Sequence, residues 1–338
     1  MIKTRGNSLG WIVWGCAALF YGFQFVLRVS TGVIANELEE TLGLNACMLG
    51  TLASCYYYGY SSMQIPSGII LDRLGPKRPL VLACLMCAAG AFLFGYGQSL
   101  FVLSIGRLMM GIGSAFAFLS CVKLASLYFE ARILSILVGL TLTIGSLGGV
   151  VGGAPFGLLA DTFGWRMANF VLAGVSVMIA LTAFVFIKEG NFQKIQKEER
   201  QGESLVDSVM TILRNPQSWI YGLYGCAMYV PLSGFADLWG TPFLIEAHQV
   251  ERTIAAGVRY SFYVGLSLGA PLWSVFATRL KSYRKGMMYS AIASVFCLTS
   301  VIYLPVSFDQ LKILMFVAGF SVGGQFIAFA GVTQLNPA

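Results

Sequence analysis

Ten long apolar runs dominate this sequence and restrict the folds that it can adopt. Each run is long enough for a helix that crosses a bilayer, which needs about 20 apolar residues. The mean hydropathy is +0.74 and 57% of the residues are hydrophobic, which is more apolar surface than a soluble domain buries. The sequence therefore predicts an all-α membrane protein with ten transmembrane helices. The runs are 11–35, 46–66, 79–97, 99–122, 133–156, 167–187, 217–237, 256–277, 286–305 and 311–332.

The first apolar run follows Lys3 and Arg5, an arrangement that also begins secretory signal peptides. This run is longer than the apolar part of a signal peptide, and no pair of small residues at cleavage-site spacing closes it. We therefore expect it to be the first transmembrane helix.

Basic residues favour one side of the predicted membrane. Of the 22 Lys and Arg residues, 16 lie in loops of one side and four lie in loops of the other, where Arg259 ends the loop 238–259. The remaining two, Arg28 and Arg107, lie inside apolar runs. By the positive-inside rule we expect both termini to be cytoplasmic, in a bacterial inner membrane. The net charge of +7 belongs to these loops, so we expect no nucleic-acid partner.

A short polar loop separates the second and third apolar runs. It places one acid and three bases within seven residues, although charged residues make up only 11% of the chain. A Gly-Pro pair between the charges predicts a turn. The pattern resembles the G-x-x-x-D-R-x-G-x-[KR]-[KR] motif between helices 2 and 3 of the major facilitator superfamily; the alternative is a basic loop of an unrelated multi-pass protein. The matching residues are Gly68, Asp72, Arg73, Gly75, Lys77 and Arg78.

Further segments resemble the same superfamily. The fourth run contains Gly106-Arg107 followed by Gly111, which is similar to the G-R-x-x-x-G motif of helix 4. Gly164-Trp165-Arg166 resembles the entry to helix 6. Together with the stretch 64–73, these segments look like bacterial relatives of the lysosomal dipeptide transporter branch. An arginine such as Arg107 is costly in a membrane, so we expect it inside the protein.

The resemblance implies two helical bundles around a central cavity that opens alternately to the two sides of the membrane. On this sequence we expect an N-terminal six-helix bundle at 1–187, a cytoplasmic linker at 188–214 and a four-helix bundle at 215–338. The superfamily has twelve helices, so the last two of them have no counterpart here, and we expect a truncated copy. Altered packing, or a partner that fills the gap, are the alternatives.

Arg28 is the first candidate for a binding residue. It shares one face of the first helix with Tyr21, Gln24 and Thr31, because their spacings of three and four match the helical period. One interpretation is that Arg28 faces a wet cavity and binds a carboxylate or another anion, since an arginine exposed to lipid is costly. The other is that it extends to the outer headgroups and the acids of the stretch 37–40.

The remaining candidates come from the second helix and from the resemblance. Tyr57 shares a face with Gln64 and with Tyr60 or Ser61, which suits either a polar cavity wall or hydrogen bonding between helices. The resemblance implies that helices 1, 4, 7 and 10 line the substrate path. The substrate-binding candidates are Arg28, Gln24, Tyr57, Tyr221, Tyr224 and Gln325.

Catalytic and metal sites are not expected. Cys84 and Cys87 have the spacing of a metal or redox pair, but inside an apolar run they suit helix packing better. His248 is the only histidine and has no cluster of acids beside it, so we expect neither a metal nor another cofactor. We also find no pattern typical of an enzyme active site.

These observations predict a secondary transporter that moves a small polar solute by alternating access. Arg28 favours a carboxylate-bearing solute, such as an amino acid or a dipeptide. The alternatives are a transporter-like membrane protein without transport activity and an exchanger of organic anions or phosphate esters. The expected partners are the lipid bilayer and the solute, and the sequence predicts no oligomeric state. Asp237 is the one acid near membrane depth, which gives little support to proton coupling.

Overall fold

The computed structural model describes residues 8–129, 131–187, 210, 214–280, 282–304, 307–328 and 331. In this part of the chain all regular structure is helical, as predicted. The chain divides into two compact units, Met1–Gln193 and Lys194–Ala338, and each is described by itself. The predicted linker 188–214 lies outside the described residues except at 210 and 214. The predicted boundaries of the two bundles therefore stay a prediction.

The first unit is built from helices that pack side by side. Helix α5 packs against α6 and α10, α3 packs against α6, and α1 packs against α8. The described helices are α1 (Ser8–Val33), α2 (Ala35–Leu42), α3 (Ala46–Ser62), α4 (Gln64–Leu74), α5 (Lys77–Tyr96), α6 (Leu100–Ser114), α7 (Phe116–Tyr128), α8 (Ala131–Val151), α9 (Ala154–Phe163) and α10 (Trp165–Phe186).

Prolines explain two of the helix breaks in this unit. Helices α3 and α4 are separated at Met63, three residues before Pro66, which cannot donate a backbone hydrogen bond to the preceding turn. Helices α8 and α9 are separated at Gly152 and Gly153, and Pro155 occupies the first turn of α9. The second apolar run is therefore two shorter helices in sequence rather than one straight span.

The second unit contains an irregular segment near its start. A nine-residue π-helix, Pro231–Trp239, continues directly from the helix before it. Pro231 and Gly234 weaken the regular α-helical ladder here, as the sequence suggested. The described helices are α11 (Pro216–Val230), the π-helix, α12 (Gly240–His248), α13 (Arg252–Arg279), α14 (Tyr283–Tyr303), α15 (Phe308–Val322) and a short 3₁₀ helix, Gly323–Gln325.

Seven described helical segments are long and apolar enough to cross a membrane. They correspond to the first, third, fourth, fifth, sixth, ninth and tenth apolar runs, so the predicted count of ten is not confirmed. The run 46–66 is broken at Met63, and the run 217–237 passes into the π-helix. Helix α13 is long enough, but Arg259 and several tyrosine and serine side chains reduce its apolar character. The seven segments are Ser8–Val33, Lys77–Tyr96, Leu100–Tyr128, Leu137–Phe163, Trp165–Phe186, Tyr283–Tyr303 and Phe308–Ala328.

Large apolar side chains cover the outer faces of both units. Phe101 is 73% exposed in the first unit, and Phe296 is 71% exposed in the second. Water would penalise so many exposed rings, whereas lipid chains solvate them well. The polar groups are instead turned inward, where helices pack against each other.

Candidate functional site

Arg28 is buried inside the first unit, near the middle of the polar face of α1. Its side chain is 4% exposed, and that of Gln24, one helical turn earlier, is 0% exposed. The Arg28 Nη2 donates a hydrogen bond of 3.1 Å to the Gln24 Oε1. The spacing of four residues places both groups on one face, and the hydrogen bond directs the guanidinium along the helix.

Tyr56 of α3 joins this pair from the neighbouring helix. Its hydroxyl donates to the same Gln24 Oε1 at 3.0 Å, so this oxygen accepts from both Arg28 and Tyr56. The amide nitrogen of Gln24 is buried and has no hydrogen-bond partner among the described residues. A buried amide donor without an acceptor is destabilising, and an anion beside Arg28 would satisfy it.

Four aromatic rings surround the Arg28 guanidinium. Its Cζ lies 4.5 Å from the ring centroid of Phe25, 5.2 Å from that of Tyr60, 5.8 Å from that of Tyr56 and 5.9 Å from that of Tyr57. Tyr57 and Tyr60, which the sequence placed on one polar face of the second helix, are therefore both present, whereas Phe25 and Tyr56 were not predicted. Cation–π attraction holds the guanidinium in this place.

Arg107 of α6 fixes the backbone of α1 at the same level. It is 1% exposed, and its Nη1 donates to the backbone oxygen of Leu27 at 2.6 Å. Its Nη2 donates to the backbone oxygen of Arg28 at 3.2 Å. The Arg107 Cζ lies 4.8 Å from the ring centroid of Tyr56. Two guanidinium groups against one tyrosine ring concentrate positive charge, which suits an anion.

Gly111 explains how Tyr56 reaches this position. A Cβ atom at Gly111 would lie 2.0 Å from the backbone oxygen of Tyr56, so α3 and α6 cross here at backbone contact. Any side chain at this position would move the two helices apart. The helix 4 motif thus contributes Arg107 to the site and Gly111 to the packing beside it.

The candidates of the second unit form a separate group. The Tyr224 hydroxyl and the Ser290 Oγ are 2.6 Å apart, and Tyr221 packs with Tyr224 on a buried cluster that includes Met287. Gln325 is 5% exposed and ends the 3₁₀ helix. A Cβ atom at the preceding residue, Gly324, would clash with Ser290 and lie 3.4 Å from the Tyr224 hydroxyl. The structure therefore places Tyr224 and the Gln325 segment together, within one unit.

Comparison with known proteins shows the family. The model of the Major Facilitator Superfamily matches residues 13–337. The chain belongs to this superfamily. Its members are transporters rather than enzymes, so the chain is a multi-pass integral membrane protein of a transporter family.

Relatives within the superfamily include transporters named for organic acids. The chain is 30% identical over 188 residues to a probable sulfoacetate transporter of Cupriavidus necator, an alignment that covers 56% of this chain and 43% of that protein. It is 24% identical over 341 residues to a gentisate transporter of Corynebacterium glutamicum, covering 95% of this chain and 74% of that protein. The chain thus spans less than half the length of the first relative.

A solved structure supports the fold. A bacterial homologue of the human lysosomal transporter Spinster, crystallised in an inward-facing conformation, superposes with a TM-score of 0.73 at 16% sequence identity. The superposition covers 97% of this chain and 76% of that one. At this identity the likeness concerns the fold alone, which is the major facilitator fold.

The residues of the predicted loop motif lie mostly in helices, because α4 continues to Leu74 and α5 begins at Lys77, and the last turn of α4 pairs with α7. The Asp72 Oδ1 lies 2.9 Å from the Lys123 Nζ, with both side chains partly exposed. Gly75 ends α4 at φ 78°, a conformation that glycine adopts without strain. Lys77 places its Nζ 4.5 Å from the ring centroid of Phe184. Arg73 and Arg78 are exposed, and a Cβ at Gly68 would meet no atom within 4 Å.

Two buried groups of the second unit were missed by the sequence analysis. Arg259, which was assigned to an outer loop, lies inside α13 and is 1% exposed. Asp237, which was placed near the end of a span, lies in the π-helix, is 3% exposed and accepts a hydrogen bond from the Tyr263 hydroxyl. The sequence did contain a signal for the burial of Arg259, because this residue lies within the apolar run 256–277.

Proposed function

We propose that this chain moves a small organic anion across a bacterial inner membrane by alternating access, and that Arg28 binds the anionic group. The observation that carries the proposal is the burial of Arg28 beside Gln24 and four aromatic rings. A guanidinium offers planar, paired donors that match a carboxylate or a sulfonate. The proposed orientation has both termini in the cytoplasm, as the basic loops favour.

The arrangement around Arg28 favours an anion over a neutral solute. The cation is kept out of water, so its attraction for an anion is stronger than it would be at a surface. Arg107 adds a second positive charge, with its Cζ 4.8 Å from the ring centroid of Tyr56. The unpartnered amide nitrogen of Gln24 offers one more donor next to the guanidinium.

The names of the relatives support the same class of solute. Sulfoacetate and gentisate are small and carry at least one carboxylate, the chemistry that Arg28 suits. These names give no support to an amino acid or a dipeptide, the examples that the sequence analysis suggested. We therefore assign the solute to the class of small organic acids.

Uptake by the purified chain in liposomes tests the proposal. Vesicles preloaded with gentisate or sulfoacetate should accumulate the labelled acid from outside, and the amide analogues should not compete. Arg28→Gln should abolish the accumulation, whereas Arg279→Gln, an exposed position at the end of α13, should retain it. If neither acid binds to nor crosses with the wild-type chain, the proposal is wrong for these solutes. Binding without uptake would favour a protein that no longer transports.

A further inference from the structure

The second unit contains a buried arginine, Arg259, with two hydrogen-bond donors that have no acceptor among the described residues. Arg259 lies two turns into α13 and is 1% exposed. Its Nη1 donates to the backbone oxygen of Ala236 in the π-helix at 3.0 Å. This bond fixes one end of the guanidinium and therefore sets the direction of the rest of the group.

The opposite edge of this guanidinium carries two donors in parallel. The Nε and Nη2 atoms of Arg259 are both buried, and neither has a hydrogen-bond partner among the described residues. In a planar guanidinium, Nε–H and one Nη2–H point the same way, with the spacing of the two oxygens of a carboxylate. A buried charged donor left without an acceptor destabilises the folded state, because it has lost its hydrogen bonds to water.

A second buried polar group lies on the segment that packs against this arginine. Thr241 at the start of α12 is 3% exposed, and its hydroxyl has no hydrogen-bond partner among the described residues. It follows Gly240, where a Cβ would lie 3.7 Å from the Arg259 Cδ. The start of α12 thus packs against the Arg259 side chain and carries a buried hydroxyl without a protein partner among the described residues.

Asp237, the acid next in sequence to Ala236, does not occupy the free edge. Its Oδ1 accepts from the Tyr263 hydroxyl, one turn further along α13. The same tyrosine ring contacts the arginine, with its centroid 5.8 Å from the Arg259 Cζ. Among the described residues, the Ala236 backbone oxygen is the one acceptor to which the Arg259 side chain donates a hydrogen bond.

We propose that the Nε–Nη2 edge of Arg259 is an oxyanion site in the second unit. The ligand is a carboxylate or an anion of the same shape, held by two parallel hydrogen bonds. A bidentate oxyanion satisfies both free donors of the edge at once, which a spherical halide cannot do with the same geometry. Its charge also compensates a buried cation that lipid would penalise.

The test measures anion-dependent thermal stability of the purified full chain, with acetate as the probe. Arg28→Gln is used as the background, so that binding at the first unit does not contribute. A ligand that binds the folded state raises the unfolding temperature, by an amount that grows with its concentration. Acetate should raise it more than chloride at equal ionic strength, and acetamide should have no effect.

Two further variants in this background assign the effect to Arg259. Arg259→Lys keeps the charge but removes the paired edge, and it should abolish the acetate-dependent rise. Arg279→Lys, on the exposed end of the same helix, should retain it. A rise that persists in Arg259→Lys would overturn the proposal and leave Arg259 as a clamp on the π-helix. If Arg259→Lys does not fold, the comparison of anions still decides, because equal effects of acetate and chloride contradict a bidentate site.

Discussion

Arg107 donates a hydrogen bond to the backbone oxygen of Arg28, so one buried arginine holds the helix that carries the other. The Arg107 guanidinium donates hydrogen bonds to backbone oxygens, whereas the Arg28 guanidinium contacts the side chains of Gln24 and Phe25. The two residues are therefore expected to differ in their effects. Arg107 should matter first for stability, and Arg28 should matter first for binding.

Arg28→Lys should weaken the binding of an organic acid while the protein remains folded. Lysine keeps the charge but loses the planar paired donors, at a cost of about 1.5–3 kcal/mol, the range for hydrogen bonds to charged groups. The dissociation constant should therefore rise roughly tenfold or more. Calorimetric titration with gentisate measures it, and Arg279→Lys is the control. Equal affinities would show that Arg28 is an anchor and not a ligand.

Arg107→Lys should lower the unfolding temperature more than Arg28→Lys does. An ammonium group cannot reach the backbone oxygens of Leu27 and Arg28 with the same fork geometry, so at least one of the two hydrogen bonds is lost. The expected cost is about 1.5–3 kcal/mol of unfolding free energy. Thermal unfolding of the detergent-purified variants measures the effect. An unchanged unfolding temperature in Arg107→Lys would rule out the clamp.

Gly111→Ala should destabilise the first unit and displace Tyr56. The added Cβ would lie 2.0 Å from the Tyr56 backbone oxygen, so α3 and α6 must separate. Overpacking of this kind costs about 1–3 kcal/mol. Gly139→Ala in α8 is the matched control, because a Cβ there meets no atom within 4 Å. Thermal unfolding should distinguish them, and equal stability of the two variants would contradict the contact.

Asp72→Asn should slow transport more than it weakens solute binding. Asp72 pairs with Lys123 at 2.9 Å, but its side chain is 54% exposed, so the pair contributes at most about 1 kcal/mol to stability. The sequence analysis placed Asp72 in a loop, but it lies in the last turn of α4, and its position beside the turn at Gly75 suggests a role in conformational change. Uptake kinetics should show a lower maximal rate at similar half-saturation, and Lys123→Gln should add little to the effect. Asp309→Asn, which removes the exposed pair with Lys312, should leave uptake unchanged.

Cysteine labelling in intact cells should confirm the proposed orientation. In a background without the native cysteines, Arg200→Cys should react with a membrane-impermeant reagent only after the cells are broken. Glu40→Cys, in the acidic stretch predicted to lie outside, should react in intact cells. The reason is the excess of Lys and Arg in the loops of one side, which the positive-inside rule assigns to the cytoplasm. Labelling of residue 200 from outside would reverse the topology.

Hydropathy and charge were sufficient to predict the class of fold and to single out Arg28 and Arg107 as charged residues within apolar runs. An apolar run of about 20 residues has few structures open to it in a bilayer other than a helix, since every backbone group must be paired. The same reasoning predicted Arg107 inside the protein, because lipid excludes charge. Arg28, for which a second placement was left open, also lies inside the first unit.

The partners of these residues depended on how the helices are rotated and how closely they cross. Tyr57 was selected from its spacing, yet Tyr56 makes the hydrogen bond to Gln24, because Gly111 brings the α3 backbone against α6. Nothing in the order of residues reveals that contact, which joins positions more than 50 apart in the chain. Arg259 was likewise assigned to a loop. Its burial depends on the packing of the π-helix against α13, where the Ala236 backbone oxygen accepts its hydrogen bond. The sequence by itself determined that the chain forms apolar helices suited to a membrane, because transfer into lipid depends on local composition. The tertiary structure alone decided which atoms meet, because helix packing is set by contacts between distant residues.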